Sequence, residues 1–151
     1  MNNQKSNPWN FHNTDKSLIS PNGLYRAVYY NLNEIAMGAP LGGSCFIEGS
    51  DNTKIKLHDW CGGPPVWEKN GFSLAIPVWT KNNTQSTFQQ IAVMDMGTRQ
   101  CKIFKRKYKV LQLSSFDTST IHGHDSPLFN PESISFDINH EKIDHIINLN
   151  D

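Results

Sequence analysis

The sequence lacks a charge excess. Lys plus Arg number 14, Asp plus Glu number 14, and the isoelectric point is about 7.0. A dedicated nucleic-acid coat or a membrane-surface binder needs a basic surplus, so neither is expected from composition. No apolar run approaches the ~18–20 residues that span a bilayer. The first nine residues, Met1 to Trp9, hold no stretch like the apolar centre of a signal peptide, which predicts a cytoplasmic protein. Cysteine is scarce. Cys45, Cys61 and Cys101 are widely spaced, odd in number and without a C-x-x-C, which argues against a disulfide framework or a zinc ribbon. They are expected to be reduced and buried as small hydrophobes. Neither G-x-x-x-x-G-K-[ST] nor G-x-G-x-x-G occurs, so the glycines at 42–43 and 62–63 are not phosphate loops.

What is present is uncharged polarity and aromatic mass. The chain has 151 residues, with 8 Phe, 4 Trp and 4 Tyr, enough for one folded domain with a core of its own. Residues 1–19 are rich in turn formers and read as an irregular arm. The rest, 20–151, reads as a single β-rich domain.

Strand signals dominate that domain. Ser20-Pro21-Asn22-Gly23 precedes Leu24–Tyr30, and Trp67-Glu68-Lys69-Asn70-Gly71 precedes Phe72–Trp79. In both copies an Asn-Gly is followed, four residues after the glycine, by an alanine within a run of β-formers. Asn-Gly suits the positive φ of a tight turn feeding a strand. Further strands are expected at Ser44–Glu48, Lys54–His58, Phe88–Asp95, Gln100–Phe104, Tyr108–Leu113 and Ser133–Ile138, with turn residues between them. This spacing predicts an antiparallel meander with an internal repeat over about 20–66 and 67–115. Between the copies, Trp60-Cys61-Gly62-Gly63-Pro64-Pro65-Val66-Trp67 reads as a stiff connector. Asn139 is expected to cap a short C-terminal helix over His140–Leu149, with Ile143, Ile146, Ile147 and Leu149 as its apolar stripe.

Residues 20–23 and Ile91-Ala92-Val93-Met94-Asp95-Met96-Gly97-Thr98 resemble parts of the blade repeats of β-propellers. The chain is too short for a closed ring, which usually takes ~4 blades or more. The resemblance therefore implies two blade-like sheets packed face to face as a sandwich.

Charge is unevenly placed. Residues 99–109 carry Arg99, Lys102, Lys105, Arg106, Lys107 and Lys109 and no acid. Residues 117–151 carry Asp117, Asp125, Glu132, Asp137, Glu141, Asp144 and Asp151 against Lys142 alone. The basic stretch reads first as a solvated sheet edge, where lysines prevent edge-to-edge pairing. Phosphate binding, with Phe104 and Tyr108 stacking, and pairing with the acidic segment are the rival readings.

Catalytic signals are thin. His122-Gly123-His124-Asp125 places two histidines and a carboxylate in four residues, and on a strand residues two apart share a face. A small metal-dependent hydrolase built on His122, His124 and Asp125 is thus one alternative, and a nucleic-acid module using 99–109 another. His58-Asp59 near Cys61, or Cys45 with His58, offers a nucleophile pair on residue type only.

Small, leaderless, Asn-rich β chains without catalytic motifs resemble the immunity proteins of bacterial polymorphic-toxin and contact-dependent inhibition systems. The resemblance rests on overall character, and segments such as Tyr29-Tyr30-Asn31-Leu32-Asn33-Glu34-Ile35-Ala36-Met37-Gly38 are in keeping with it. It implies a non-catalytic chain, without cofactor or metal, that occludes the active site of a cognate toxin, such as a tRNA-cleaving nuclease. Asp125, Glu132, Asp137, Glu141 and Asp144 would then meet a basic site in place of phosphates, with Trp60 as apolar anchor.

Overall fold

A computed structural model describes residues 6–84 and 86–149. The first five residues of the expected arm and the acid Asp151 lie outside them. Among the described residues eleven strands form: β1 (Tyr25–Glu34), β2 (Leu41–Gly49), β3 (Lys54–Cys61), β4 (Val66–Trp67), β5 (Ser73–Lys81), β6 (Thr87–Asp95), β7 (Gln100–Phe104), β8 (Leu111–Asp117), β9 (Thr120–Asp125), β10 (Glu132–Asp137) and β11 (Ile143–Asn148). The fold is mainly β, as expected. All the pairings are antiparallel.

The strands make two sheets. One has eight strands in the order β1-β2-β3-β5-β6-β7-β11, with β4 beside β5. The other has three, in the order β10-β9-β8. The two copies of the Asn-Gly pattern therefore run on through one sheet instead of each forming its own. Between them the sheet is nearly broken. A single register pair, Cys61 with Val78, joins β3 to β5. Gly62 and Gly63 fill the corner because nothing larger fits there. A Cβ on Gly63 would lie 2.8 Å from both the Phe11 ring and the Tyr29 hydroxyl, which itself donates to the Gly62 carbonyl at 2.7 Å.

Bending at this corner lets β1–β3 close over β5–β7. One core lies between them, with Tyr29, Ile47, Ile55 and Leu57 meeting Leu74, Ile76, Met94 and Ile103, plugged by Phe11 and Leu18 from the arm. The other faces of β5–β7 supply Ala75, Ile91, Val93 and Phe104 to a second core, where Leu113, Phe116, Ile121 and Phe136 of the small sheet cover them. Strands β5 and β6 are thus buried on both faces, which accounts for their near-continuous apolar runs. Strand β3 has one wet face, and Lys54-Ile55-Lys56-Leu57 alternates accordingly.

Two glutamines sit within this middle layer without loss of pairing at the backbone. Gln90 donates to the Phe104 carbonyl at 2.9 Å and accepts from Thr80. Gln89 accepts from the Leu111 amide, tying β6 to the entry of β8.

The C-terminal helix does not form. Residues 143–148 are β11, paired with β7 through Ile147–Cys101 and Ile146–Lys102. Three β-branched isoleucines and an open edge on β7 favour a ladder over a short helix whose caps are weak. Asp137, not Asn139, makes the capping contact, accepting from the Asn139 amide at 2.9 Å within a turn.

Candidate partner-binding face

The small sheet is held close by Gly123 on β9. A Cβ there would stand 2.4 Å from the Gln112 carbonyl oxygen, so β8 and β9 approach as only glycine allows. His122 and His124 flank it on the exposed face, while the adjacent Asp125 turns to the chain entering β8. Its Oδ1 accepts from the amides of Lys109 at 3.0 Å and Val110 at 3.1 Å. Among the described residues no group of three or more His, Cys, Asp or Glu is set to hold a metal ion.

After Asp125 the chain leaves the sheet. Ser126 donates its amide to Val110 at 2.8 Å, and Phe129 donates back to Ser126 at 3.1 Å. Ser126 and Asn130 take positive φ of 55° and 50°. Pro127 and Pro131 bracket the loop and limit its freedom. At its tip Leu128 is 63% exposed and Phe129 78% exposed. Among the described residues neither side chain belongs to a buried core cluster.

Opposite the loop stands Trp9. Asn7 and Asn10 pair their backbones to form a tight turn, the Trp9 amide donates to Asn7 Oδ1 at 2.9 Å, and the Pro8 carbonyl accepts from Leu41 at 2.9 Å. A cleft of about 590 Å³ runs between turn and loop, lined by Trp9, Lys109, Val110, Asp125, Ser126, Leu128, Phe129, Asn130 and Glu132. A smaller concavity of about 310 Å³ adjoins it, sharing Asp125 and Glu132 and adding Arg106, Tyr108 and Glu141.

Three of the acids singled out by charge therefore come together: Asp125, Glu132 and Glu141. Glu141 is engaged, gripping Arg106 through two contacts of 3.1 and 3.0 Å that push the guanidinium pKa up from its ordinary value. The basic stretch and the acidic segment are thus partly paired within the chain. Lys107 lies 4.7 Å from the centre of the Phe88 ring. Asp137 and Asp144 do not line either concavity. Asp137 accepts from the Asn139 amide and contacts His140 at 2.7 Å, contacts that hold its carboxyl below the usual range. Asp144 contacts His145 at 2.9 Å. Trp60 is half-buried against Trp79, with ring centres 6.0 Å apart.

The thiols are remote from this face. All three cysteines are buried, and burial pushes the Cys101 thiol up to about 12 and raises Cys61 as well. Such thiols stay protonated and are poor nucleophiles. His58 pairs in register with Cys45, but its Nδ1 accepts from the Trp60 amide at 3.1 Å.

Sequence reasoning missed the apolar half of the site. Leu128 and Phe129 between two prolines were the available signal; nothing in the sequence places Trp9 across from them. No known protein family, no curated protein and no solved structure matches this chain. Among the described residues no helix is long and apolar enough to cross a membrane.

Proposed function

We propose that this chain is a non-catalytic immunity protein that binds a cognate bacterial toxin in the cytoplasm and blocks its active site, a nuclease centre being the class its acids suit. The observation that supports the reading is the exposed Leu128–Phe129 pair on a proline-bracketed loop beside Asp125 and Glu132. Apolar anchors ringed by polar groups are the usual anatomy of a protein-binding patch. The carboxylates add complementarity toward the basic surface that a nuclease uses to hold phosphates, which raises the rate of encounter.

The test is co-expression with the toxin encoded beside this gene. The native chain should restore growth and co-purify with the toxin. Phe129→Ala, at a side chain that packs against little, should weaken binding about tenfold or more without lowering the unfolding midpoint. Full rescue and undiminished affinity in a Phe129→Ala, Glu132→Lys double variant would defeat this placement of the interface.

A further inference from the structure

Building on that reading, we infer that the cleft between Trp9 and the 126–131 loop receives a guanidinium side chain from the partner. Its walls are aromatic and aliphatic: Trp9, Val110, Leu128 and Phe129. An aromatic face attracts a cation as well as an apolar stem, and a planar guanidinium stacks on it. The rim supplies the counter-charge. Among the described residues the Glu132 carboxylate has no hydrogen-bond or ion-pair partner, and Asp125 uses Oδ1 for Lys109, Val110 and Ser126 while Oδ2 stays unclaimed.

Among the described residues that line the cleft Lys109 is the one cation against two carboxylates; of the cations on the adjoining concavity, Arg106 is held by Glu141 and Lys107 lies over the Phe88 ring. The surplus is one negative charge against an apolar wall, at a cleft whose 590 Å³ exceeds what an ion alone fills and accommodates a long side chain. Arginine fits better than lysine, because its planar fork can reach two carboxylates while its face lies on the rings. A purely apolar occupant would leave Glu132 beside it without a partner.

The isolated, isotope-labelled full chain tests this by NMR titration with N-acetyl-arginine-methylamide, with the citrulline analogue as its neutral isostere. The arginine compound should move the Trp9 indole N–H and the Phe129 and Glu132 amides saturably, and citrulline should not. Glu132→Gln should weaken the affinity about threefold, and Lys109→Gln should strengthen it by a similar factor, a gain that loss of structure cannot produce. Absence of a saturable shift, equal shifts from citrulline, or indifference to both substitutions would overturn the assignment. Because no toxin is present, failure here leaves the rescue experiment standing, and a failed rescue leaves this binding intact.

Discussion

The two Asn-Gly turns are built alike and serve different neighbourhoods. In the first, Ser20 donates its amide to Tyr25 at 2.9 Å, Gly23 donates to Ser20 at 2.9 Å, and Asn22 Oδ1 accepts from Leu24 at 3.0 Å. In the second, Glu68 donates to Ser73 at 2.8 Å, Gly71 to Glu68 at 2.8 Å, and Asn70 Oδ1 accepts from Phe72 at 2.8 Å. Both glycines take positive φ, 74° and 81°. The strands that follow part company. Ala27 points into the core shared by the two copies, whereas Ala75, at the same distance from its glycine, points into the core under the small sheet. The copies are stacked in the same sense, the first on the back of the second and the second on the small sheet. The shared turn sets where a strand begins; the layers around it set which faces must be apolar.

The back faces give the largest expected contrast. Val28 and Ile76 both stand five residues after their glycine. Val28 is half-buried at the outside of the molecule, and Ile76 is fully buried against β1–β3. Ile76→Ala should cost about 2–5 kcal/mol, through lost transfer energy and the cavity left behind. Val28→Ala should cost about 1 kcal/mol or less, since much of its surface is already wet. Urea unfolding of both variants measures the difference. Equal costs would mean that β5 is not the covered strand of the pair.

The turns themselves supply a smaller contrast. A side chain at Gly23 meets nothing within 4 Å, so Gly23→Ala pays only for its positive φ, about 1 kcal/mol. A Cβ at Gly71 stands 2.5 Å from the Asn22 amide, which also donates to Asn70 across the two turns at 3.4 Å. Gly71→Ala should therefore cost more, about 2–3 kcal/mol. Placing both substitutions in an Asn22→Gly background should draw the two costs together. If Gly71→Ala stays as costly there, backbone strain alone explains it and contact between the turns contributes nothing.

Legibility in the sequence follows the same division. Local chemistry was readable: the Asn-Gly turns, and the alternation of Lys54 to His58 on a strand with one wet face. So was the mainly β character. Layering was not, because the runs at Phe72–Trp79 and Phe88–Asp95 read as strands without saying what covers each side. Strand β9 was not among the expected strands, since a glycine between two histidines is a weak strand signal until β8 is seen pressing on Gly123. Strand β11 read as a helix since Ile143, Ile146 and Ile147 satisfy helical spacing; the open edge of β7, far back in the chain, decides otherwise. At the candidate site, charge picked out Asp125, Glu132 and Glu141. Pro127 and Pro131 were the local sign that Leu128 and Phe129 sit on a stiff loop, whereas the arrival of Trp9 beside them is a product of the tertiary fold and carries no local signature.

The smallest contrast between the copies is expected from pH. Strand β3 of the first copy carries His58, and the matching strand β7 carries no histidine. Burial holds the His58 pKa below its ordinary value, more strongly than the neighbouring Asp59 carboxylate raises it. Protonation at Nδ1 would also break the bond it accepts from the Trp60 amide. With the folded pKa depressed, the unfolded chain takes up the proton first as pH falls below about 6.5. Stability is then full above that value and declines as pH drops through the folded pKa. Asp51, Asp117 and Asp137 are also depressed, but as carboxylates they act below about pH 4, outside this window. His58→Gln should flatten the unfolding midpoint between about pH 5 and 7 relative to the native chain. An unchanged slope would show that His58 is solvated in the folded state and that β3 is wetter at this end than the bond from the Trp60 amide to the His58 ring indicates.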